Sequence, residues 1–345
     1  MKKQVYAFKN TDAQVMRSTS GGAFIGLCHA FEELHKNCKK YIYGAELTGS
    51  MKVRHTSVAS AEECSIFQGS KYVKSDCKNC YSEIASQLKN GCFVLFSGTP
   101  CQVAALKKYI DREGITKDQL FTVDLICHGT PKTRVWDDYK DWMEKKVHAG
   151  LKEYSFRYKP EGWKAYPARA CFDNGVVLKN TALLSVFSRL HMTGYITAKA
   201  CFSCPFSNMD RPGDITLGDF WGIETMNTAI PWKHGVSLIL VNTEKGMELV
   251  KGLSDMVRTN QEMLLEEVKS QDYRKYQHNL SRQTEKPQLY DEFWNDYDQI
   301  GFEAIIKKYI NYGMKYKVVF LIKKVVRKTP FIHLYRKKRR DRNVR

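Results

Sequence analysis

The chain has no apolar run approaching the roughly 20 residues that a membrane-spanning helix needs. Its apolar stretches are strand-sized, such as Cys92-Phe93-Val94-Leu95-Phe96. The basic start Met1-Lys2-Lys3 lacks the apolar segment that would follow it in a secretory signal. No G-x-G-x-x-G is present, so a Rossmann dinucleotide fold has no support. There is also no internal repeat. Acidic residues almost vanish towards the end: residues 315–345 carry thirteen Lys or Arg against the single acid Asp341. That segment accounts for +12 of the net charge of +18, and the body is only mildly basic. With a mean hydropathy of −0.46, the expectation is a water-soluble, cytoplasmic protein. Its 345 residues, 43% of them hydrophobic, suffice for one large domain or two modest ones.

Cysteine, by contrast, is plentiful. Eleven cysteines in a reducing compartment are core fillers, metal ligands or catalysts rather than disulfides, and an odd number cannot pair completely. Cys28, Cys64 and Cys171 sit among apolar neighbours and read as small hydrophobes. The remainder must be judged by position. The pattern predicts a helix over 23–36, short strands over 40–45 and 52–58, and a helix over 80–89. Two strand-turn-helix units follow in succession. In the first, strand 92–96 and Ser97-Gly98-Thr99-Pro100 lead to helix 101–109; in the second, strand 120–126 and Cys127-His128-Gly129-Thr130-Pro131 lead to helix 132–146. Such units argue for parallel strands covered by helices. Beyond Gly150 hairpins dominate, with a turn at Asp173-Asn174-Gly175. Strands follow over 214–218 and 236–241, then helices over 245–259 and 302–313, with a polar surface loop over 270–290. The expected fold is α/β with mixed α+β character. A central mixed sheet carries helices on both faces, hairpins and a helical, basic C-terminal tail. Residues 1–150 and 151–313 form its two halves and 314–345 the tail.

Cys201-Phe202-Ser203-Cys204-Pro205 places two thiols within reach of one metal or cluster. A redox dithiol, a zinc knuckle and an iron–sulfur half-site all remain open on spacing alone. Cys101 and Cys127 stand at equivalent strand-to-helix turns, and the carboxyl ends of neighbouring strands in an open sheet face one crevice. Thiols at such turns ionise more readily, which ligation requires. Cys77-Lys78-Asn79-Cys80 has the same spacing as the first pair but opens a helix in a polar segment, and is expected to be exposed and incidental. Ser20-Gly21-Gly22-Ala23 at a helix start suits an anion, although an ordinary helix cap looks the same. Gln68-Gly69-Ser70-Lys71-Tyr72 sets a Gly turn beside a cation and an aromatic ring. Gly218-Asp219-Phe220-Trp221-Gly222 offers rings either to a planar cofactor or to the core, and His128 is a candidate for proton transfer.

These stations, in this order, resemble the beta-subunit family of coenzyme F420-reducing hydrogenases and related dehydrogenases. The matching segments are Ser20 to Phe24, Gln68 to Tyr72, Gly98 to Gln102, Asp124 to Gly129, Cys201 to Cys204, Gly213 to Gly222 and Gly235 to Thr243. The resemblance implies FAD and a [4Fe-4S] cluster, with Cys101, Cys127, Cys201 and Cys204 as cluster ligands. It further implies flavin contacts at Ser20, Gly21, Gly22 and Ala23 and at Gly69, Ser70, Lys71 and Tyr72. Many relatives begin with a ferredoxin-like run of cysteines, whereas the first cysteine here is Cys28. Electrons are therefore expected from a separate ferredoxin-type partner. Stand-alone relatives resemble accessories of surface-polysaccharide gene clusters, which suits a sugar or sugar-lipid substrate, and deazaflavin use does not follow from the family name.

The expectation is thus an FAD- and iron–sulfur-dependent oxidoreductase. A non-catalytic zinc scaffold is the alternative, since both metals accept four thiolates. In the tail, Val318-Val319-Phe320-Leu321-Ile322 and Val325-Val326 interleave with Lys and Arg before Arg336-Lys337-Lys338-Arg339-Arg340. Such a segment suits the anionic inner face of a membrane. No nucleic-acid-binding fold is legible, which sets that partner aside.

Overall fold

A computed structural model describes residues 3–327 apart from 162, 165 and 166. The basic run 336–340 lies outside the described residues. In chain order the elements begin with β1 (Gln4–Lys9), α1 (Asp12–Arg17), α2 (Ala23–Leu34), β2 (Lys40–Leu47), β3 (Val53–Val58) and α3 (Cys80–Lys89). The two strand-turn-helix units follow as β4 (Phe93–Gly98), α4 (Pro100–Arg112), β5 (Leu120–Leu125) and α5 (Thr133–Val147). Then come β6 (Leu151–Ser155), β7 (Arg169–Phe172), β8 (Val177–Lys179), α6 (Ser185–Met192), β9 (Ile215–Asp219) and β10 (Ser237–Val241). The chain continues as α7 (Glu244–Thr259), β11 (Leu264–Glu267), α8 (Tyr290–Ile310) and α9 (Met314–Arg327).

Eight strands form one sheet in the order β11-β1-β10-β9-β5-β4-β2-β3. The central four, β9, β5, β4 and β2, run parallel, while β1, β10, β11 and β3 pair antiparallel with their neighbours. This is the expected mixed α/β sheet. Side chains alternate across it as a pleat dictates. Leu95, Ile239 and Val241 pack under α2 and α7, whereas Val94 and Phe96 pack on the other face against α3 and α4. Leu238 and Leu240 share that second face with Phe220 and Tyr273. A second, three-stranded sheet, β6-β7-β8, shares an aromatic core with α5, α6 and α8, built on Trp136, Tyr139, Phe187 and Phe293.

Three elements differ from the expectation. β1 sits inside the large sheet although its polar, basic surroundings conceal it. The helix expected over 302–313 begins at Tyr290 and breaks at Gly301, whose φ of 74° does not belong to a helix. The loop 270–290 contains two short turns, Gln271–Tyr276 and His278–Leu280, and straps the sheet's carboxyl edge.

Candidate functional site

The parallel strands β4, β5 and β9 end side by side, and their carboxyl ends deliver the residues of interest. After β4, Thr99 caps α4 and Pro100 occupies the first turn, where its missing N–H costs nothing. The Gln102 side chain folds back: its Oε1 accepts from the Thr99 N–H at 2.9 Å and the Thr99 hydroxyl at 3.0 Å. This cap fixes Cys101 in the first helical turn, its Sγ 3.2 Å from Thr99 Oγ1. After β5, Ile126 prolongs the pairing with β9 through Leu217 (2.8 Å), and Cys127 follows at once.

Residues 196–201 are tied to the turn after Cys127. Lys132 N donates to Ile196 O, Ala198 N to Thr130 O, and Pro131 bridges Thr197. Gly129 makes the approach possible. Its φ is +92°, and a Cβ there would stand 2.8 Å from Thr197 Cγ2 and 3.3 Å from Cys201 Cβ. The Cys127 side chain is half-buried, and desolvation pushes its thiol up to about 12 even though the Gly129 N–H hydrogen-bonds it. Cys101, Cys201 and Cys204 all lie close enough to push it higher still if charged. The structure thus brings the four cysteines into one electrostatic neighbourhood. Among the described residues no three Cys, His, Asp or Glu side chains close around a single ion. Four thiolates on one zinc must each stand about 2.3 Å from it.

Two features that the sequence reading passed over hold this arrangement. The first is the strap: Asn279 Nδ2 donates to Cys127 O (2.7 Å), Gln283 Nε2 to Cys204 O (3.1 Å) and Thr284 to His128 O (3.3 Å). The second is an ion pair between Arg211 and Asp124, with side chains 1% and 0% exposed. Arg211 also donates to Phe206 O (2.6 Å) and Leu125 O (3.0 Å), so it pins the loop after Cys204 to the strand that ends at Cys127. An arginine between a C-x-x-C and a strand was the one available sequence signal.

The two turns expected to contact flavin also meet. Ser70 N donates to Thr19 Oγ1 (2.7 Å), and Gln68 Nε2 donates to Ser18 Oγ (3.0 Å). At the first turn, the Gly21 and Ala23 amides donate to Ser237 Oγ, at 2.9 and 3.4 Å, and Gly21 packs on the backbone of β1 and β10. At the second, Gly69 faces open space with φ +80°. Burial pushes Lys71 down to about 8. Lys159, which donates to Val15 O and Ser20 O, is pushed down by burial to about 7.

Between these turns and the cysteines lies Asp219, at the end of β9. It binds Arg157 (2.5 Å) and Trp163 Nε1 (3.0 Å), and Trp163 stacks on Trp221 with ring centroids 5.1 Å apart. Phe220 is a buried core anchor. Burial lowers the pKa of His128, and that of neighbouring His191 to about 4, so both favour the neutral ring.

Cys77 and Cys80 are not the exposed pair expected. Cys80 is 3% exposed because it opens α3 on the face that packs against α4 and β4, and Cys77 is half-buried.

A family model for the C-terminal part of the coenzyme F420 hydrogenase/dehydrogenase beta subunit matches residues 93–284. All four cysteines of the site fall in that span; the two glycine turns and Cys77 and Cys80 precede it. No curated protein matches the sequence. Among solved structures, a chain of the F420-reducing [NiFe] hydrogenase complex from Methanosarcina barkeri shares the fold. Its TM-score is 0.51 at 16% identity, over 87% of this chain and 93% of that one. With its family match spanning more than half its length, the chain belongs to the coenzyme F420 hydrogenase/dehydrogenase beta subunit family.

Proposed function

We propose that the chain is an oxidoreductase that holds a [4Fe-4S] cluster on Cys101, Cys127, Cys201 and Cys204 and FAD beside its two glycine turns. The observation that carries this reading is the half-buried Cys127 thiol, with Cys101, Cys201 and Cys204 near enough to act on its charge, at the carboxyl edge of parallel strands. Burial without a partner would leave Cys127 protonated, whereas ligation stabilises its thiolate. When bound, a cluster there handles single electrons and a flavin handles hydride equivalents. This chain's own residues do the rest. Gly129 N–H donates to the Cys127 sulfur, the strap fixes the carbonyls of Cys127 and Cys204, and Arg211 locks the loop. Lys71 and Arg157 lie near the turns and supply positive charge for a phosphate-bearing cofactor, while Lys159 is spent on Val15 O and Ser20 O. A zinc scaffold on the same four thiols is the competing reading, since both metals accept four thiolates. Protein purified without oxygen should contain iron and acid-labile sulfide and release FAD on denaturation. Cys204→Ser should lose the iron, and Cys77→Ser should keep it. Colourless protein with one zinc and no flavin overturns the reading.

The substrate we infer is a sugar or sugar-lipid of surface-polysaccharide synthesis, with electrons supplied by a ferredoxin-type partner. Support for the lipid side comes from α9. Tyr316 anchors one face of it to Ser185. Met314, Val318, Leu321, Ile322 and Val325 are exposed at helical spacing, flanked by lysines. Among the described residues no helix is long and apolar enough to cross a membrane. A stripe of this kind lies on an anionic surface, each basic residue adding about 1 kcal/mol. The protein should co-sediment with phosphatidylglycerol vesicles and not with phosphatidylcholine vesicles. Leu321→Asp with Ile322→Asp should release it, and equal binding to both vesicle types refutes the placement.

A further inference from the structure

Cys77 and Cys80 belong neither to the four-cysteine site nor to the matched span, yet their surroundings are more specific than a structural thiol needs. Cys77 lines a cavity of about 690 Å³, whose wall also includes Tyr81, Cys101, Gln102 and Trp136. Its sulfur lies 3.2 Å from His55 Nδ1. The other ring nitrogen, His55 Nε2, is 2.9 Å from Ser97 O. A carbonyl only accepts, so Nε2 carries the proton and Nδ1 presents a bare lone pair to Cys77. His55 is therefore placed to take the Cys77 proton.

Gln102 supplies a second constraint. Its Oε1 is engaged by the Thr99 cap, which turns its NH2 towards Ser75 Oγ (2.8 Å) and Cys77 Sγ (3.2 Å). An amide nitrogen only donates, so Cys77 sulfur accepts there. Cys80 provides a third hydrogen bond: its thiol donates to Cys77, holding Cys77 below the ordinary thiol range and itself well above it. Three groups thus stabilise negative charge on one sulfur, in a C-x-x-C that opens a helix. A metal would use His55, Cys77 and Cys80 together, but among the described residues no such trio closes around an ion.

We propose that Cys77 and Cys80 form a redox-active dithiol that reduces small anionic disulfides entering this cavity, with Cys77 attacking and Cys80 resolving. The Cys77 thiolate, its proton on His55 Nδ1, attacks one sulfur of the substrate. A Cys77–substrate disulfide forms, the substrate S–S bond breaks, and the departing thiolate takes the proton from His55. Consuming the Cys77 charge removes what held Cys80 protonated. Cys80 then gives its proton to the second leaving thiolate as it attacks Cys77 Sγ. Two protein thiols lose two electrons to become one disulfide, and the substrate disulfide gains two to become two thiols. The preference for anions comes from Lys74 and Lys78 on the cavity wall, the third lysine there, Lys52, being paired with Asp137 at 2.6 Å. Its one acid, Asp76, already accepts from Lys78 N.

The test uses full-length protein as purified without oxygen. Trypsin cleaves after Lys74, Lys78 and Lys89, so a Cys77–Cys80 disulfide joins peptide 75–78 to peptide 79–89 in a mass spectrum. Brief iodoacetamide treatment at pH 7 should label Cys77 about tenfold or more faster than exposed Cys38, the factor for one unit of thiol acidity. His55→Asn should remove most of that advantage. Oxidised glutathione should link the two peptides and release two glutathione thiols per chain, and Cys80→Ser should stop at a glutathione adduct on Cys77. Labelling of Cys77 no faster than Cys38 overturns the proposal. So do peptides that stay unlinked in the wild type while glutathione attaches to other cysteines.

Discussion

Arg211 offers the sharpest test of how the site is held. Replacing it with leucine leaves Asp124, a 0% exposed carboxylate, without the guanidinium that meets Oδ1 through Nε (3.1 Å) and Nη2 (2.6 Å). Asp124 keeps only the Gly213 N–H (2.8 Å) on Oδ2 among the direct contacts from that loop. Breaking a buried pair by removing one partner costs about 3–5 kcal/mol, because the remaining charge is stranded in a poor solvent. The carbonyls of Phe206 and Leu125 lose donors as well, each worth about 1 kcal/mol. The upper part of that range approaches the whole stability of a marginal fold. Burial already raises the pKa of Asp124 despite its partner, so without Arg211 the carboxyl favours its neutral form. A group whose folded value is raised stabilises below its unfolded value and loses that contribution as pH rises through the folded one. The variant's deficit should therefore grow from acid towards neutral pH. Urea unfolding followed by circular dichroism, at pH 5 and pH 7, measures it, and iron content per chain reads the loop. The double variant Arg211→Leu with Asp124→Leu should recover part of the loss, the Gly213 N–H remaining unpaired. A single-variant cost below about 1 kcal/mol, typical of an exposed pair, with full iron content, would refute the idea that this pair pins the site.

Two further outcomes follow from the fold. In Gly21→Ala, the new Cβ would overlap Phe8 O and lie 2.5 Å from Ser237 N. Backbone cannot rotate away, so a loss of about 3 kcal/mol, at the top of the overpacking range, should appear as a lower urea midpoint with an unchanged slope; an unchanged midpoint contradicts the packing assigned to this turn. Lys159 is pushed down by burial from its ordinary 10.5 to about 7, so between those values the folded chain binds fewer protons than the unfolded one. Wild type should accordingly gain stability relative to Lys159→Met as pH rises from 7 to 9, and a difference that stays flat over that interval would show the ammonium is not desolvated.

The convergence of Cys101 and Cys127 on one edge of the sheet was legible because its cues are local. Gly98-Thr99-Pro100-Cys101 and Cys127-His128-Gly129 follow strand-like runs directly, and parallel strand order then sends both ends to one edge. The strap was not legible. Asn279, Gln283 and Thr284 lie in a polar stretch without periodicity, and their partners are backbone carbonyls 79 or more positions away. β1 was missed for a related reason: its apolar run Val5-Tyr6-Ala7-Phe8 is short and flanked by lysines, and its place is set by pairing with β10 and β11, more than 220 residues on. Cys77 was misread because half of its environment, His55 and Gln102, comes from β3 and α4.

What the sequence by itself determined is the short-range chemistry: the strand-turn-helix units, the C-x-x-C, the caps and the uneven charge. These depend on residues within one or two turns of each other. Only the tertiary structure decided which thiols meet and which groups touch them. Gly129 against Cys201, Arg211 on Asp124, and His55 beside Cys77 are contacts across 72, 87 and 22 positions. Such contacts are selected when the sheet order and its covering helices bury them together, and a hydrogen bond or ion pair gains its force from that burial rather than from its place in the chain.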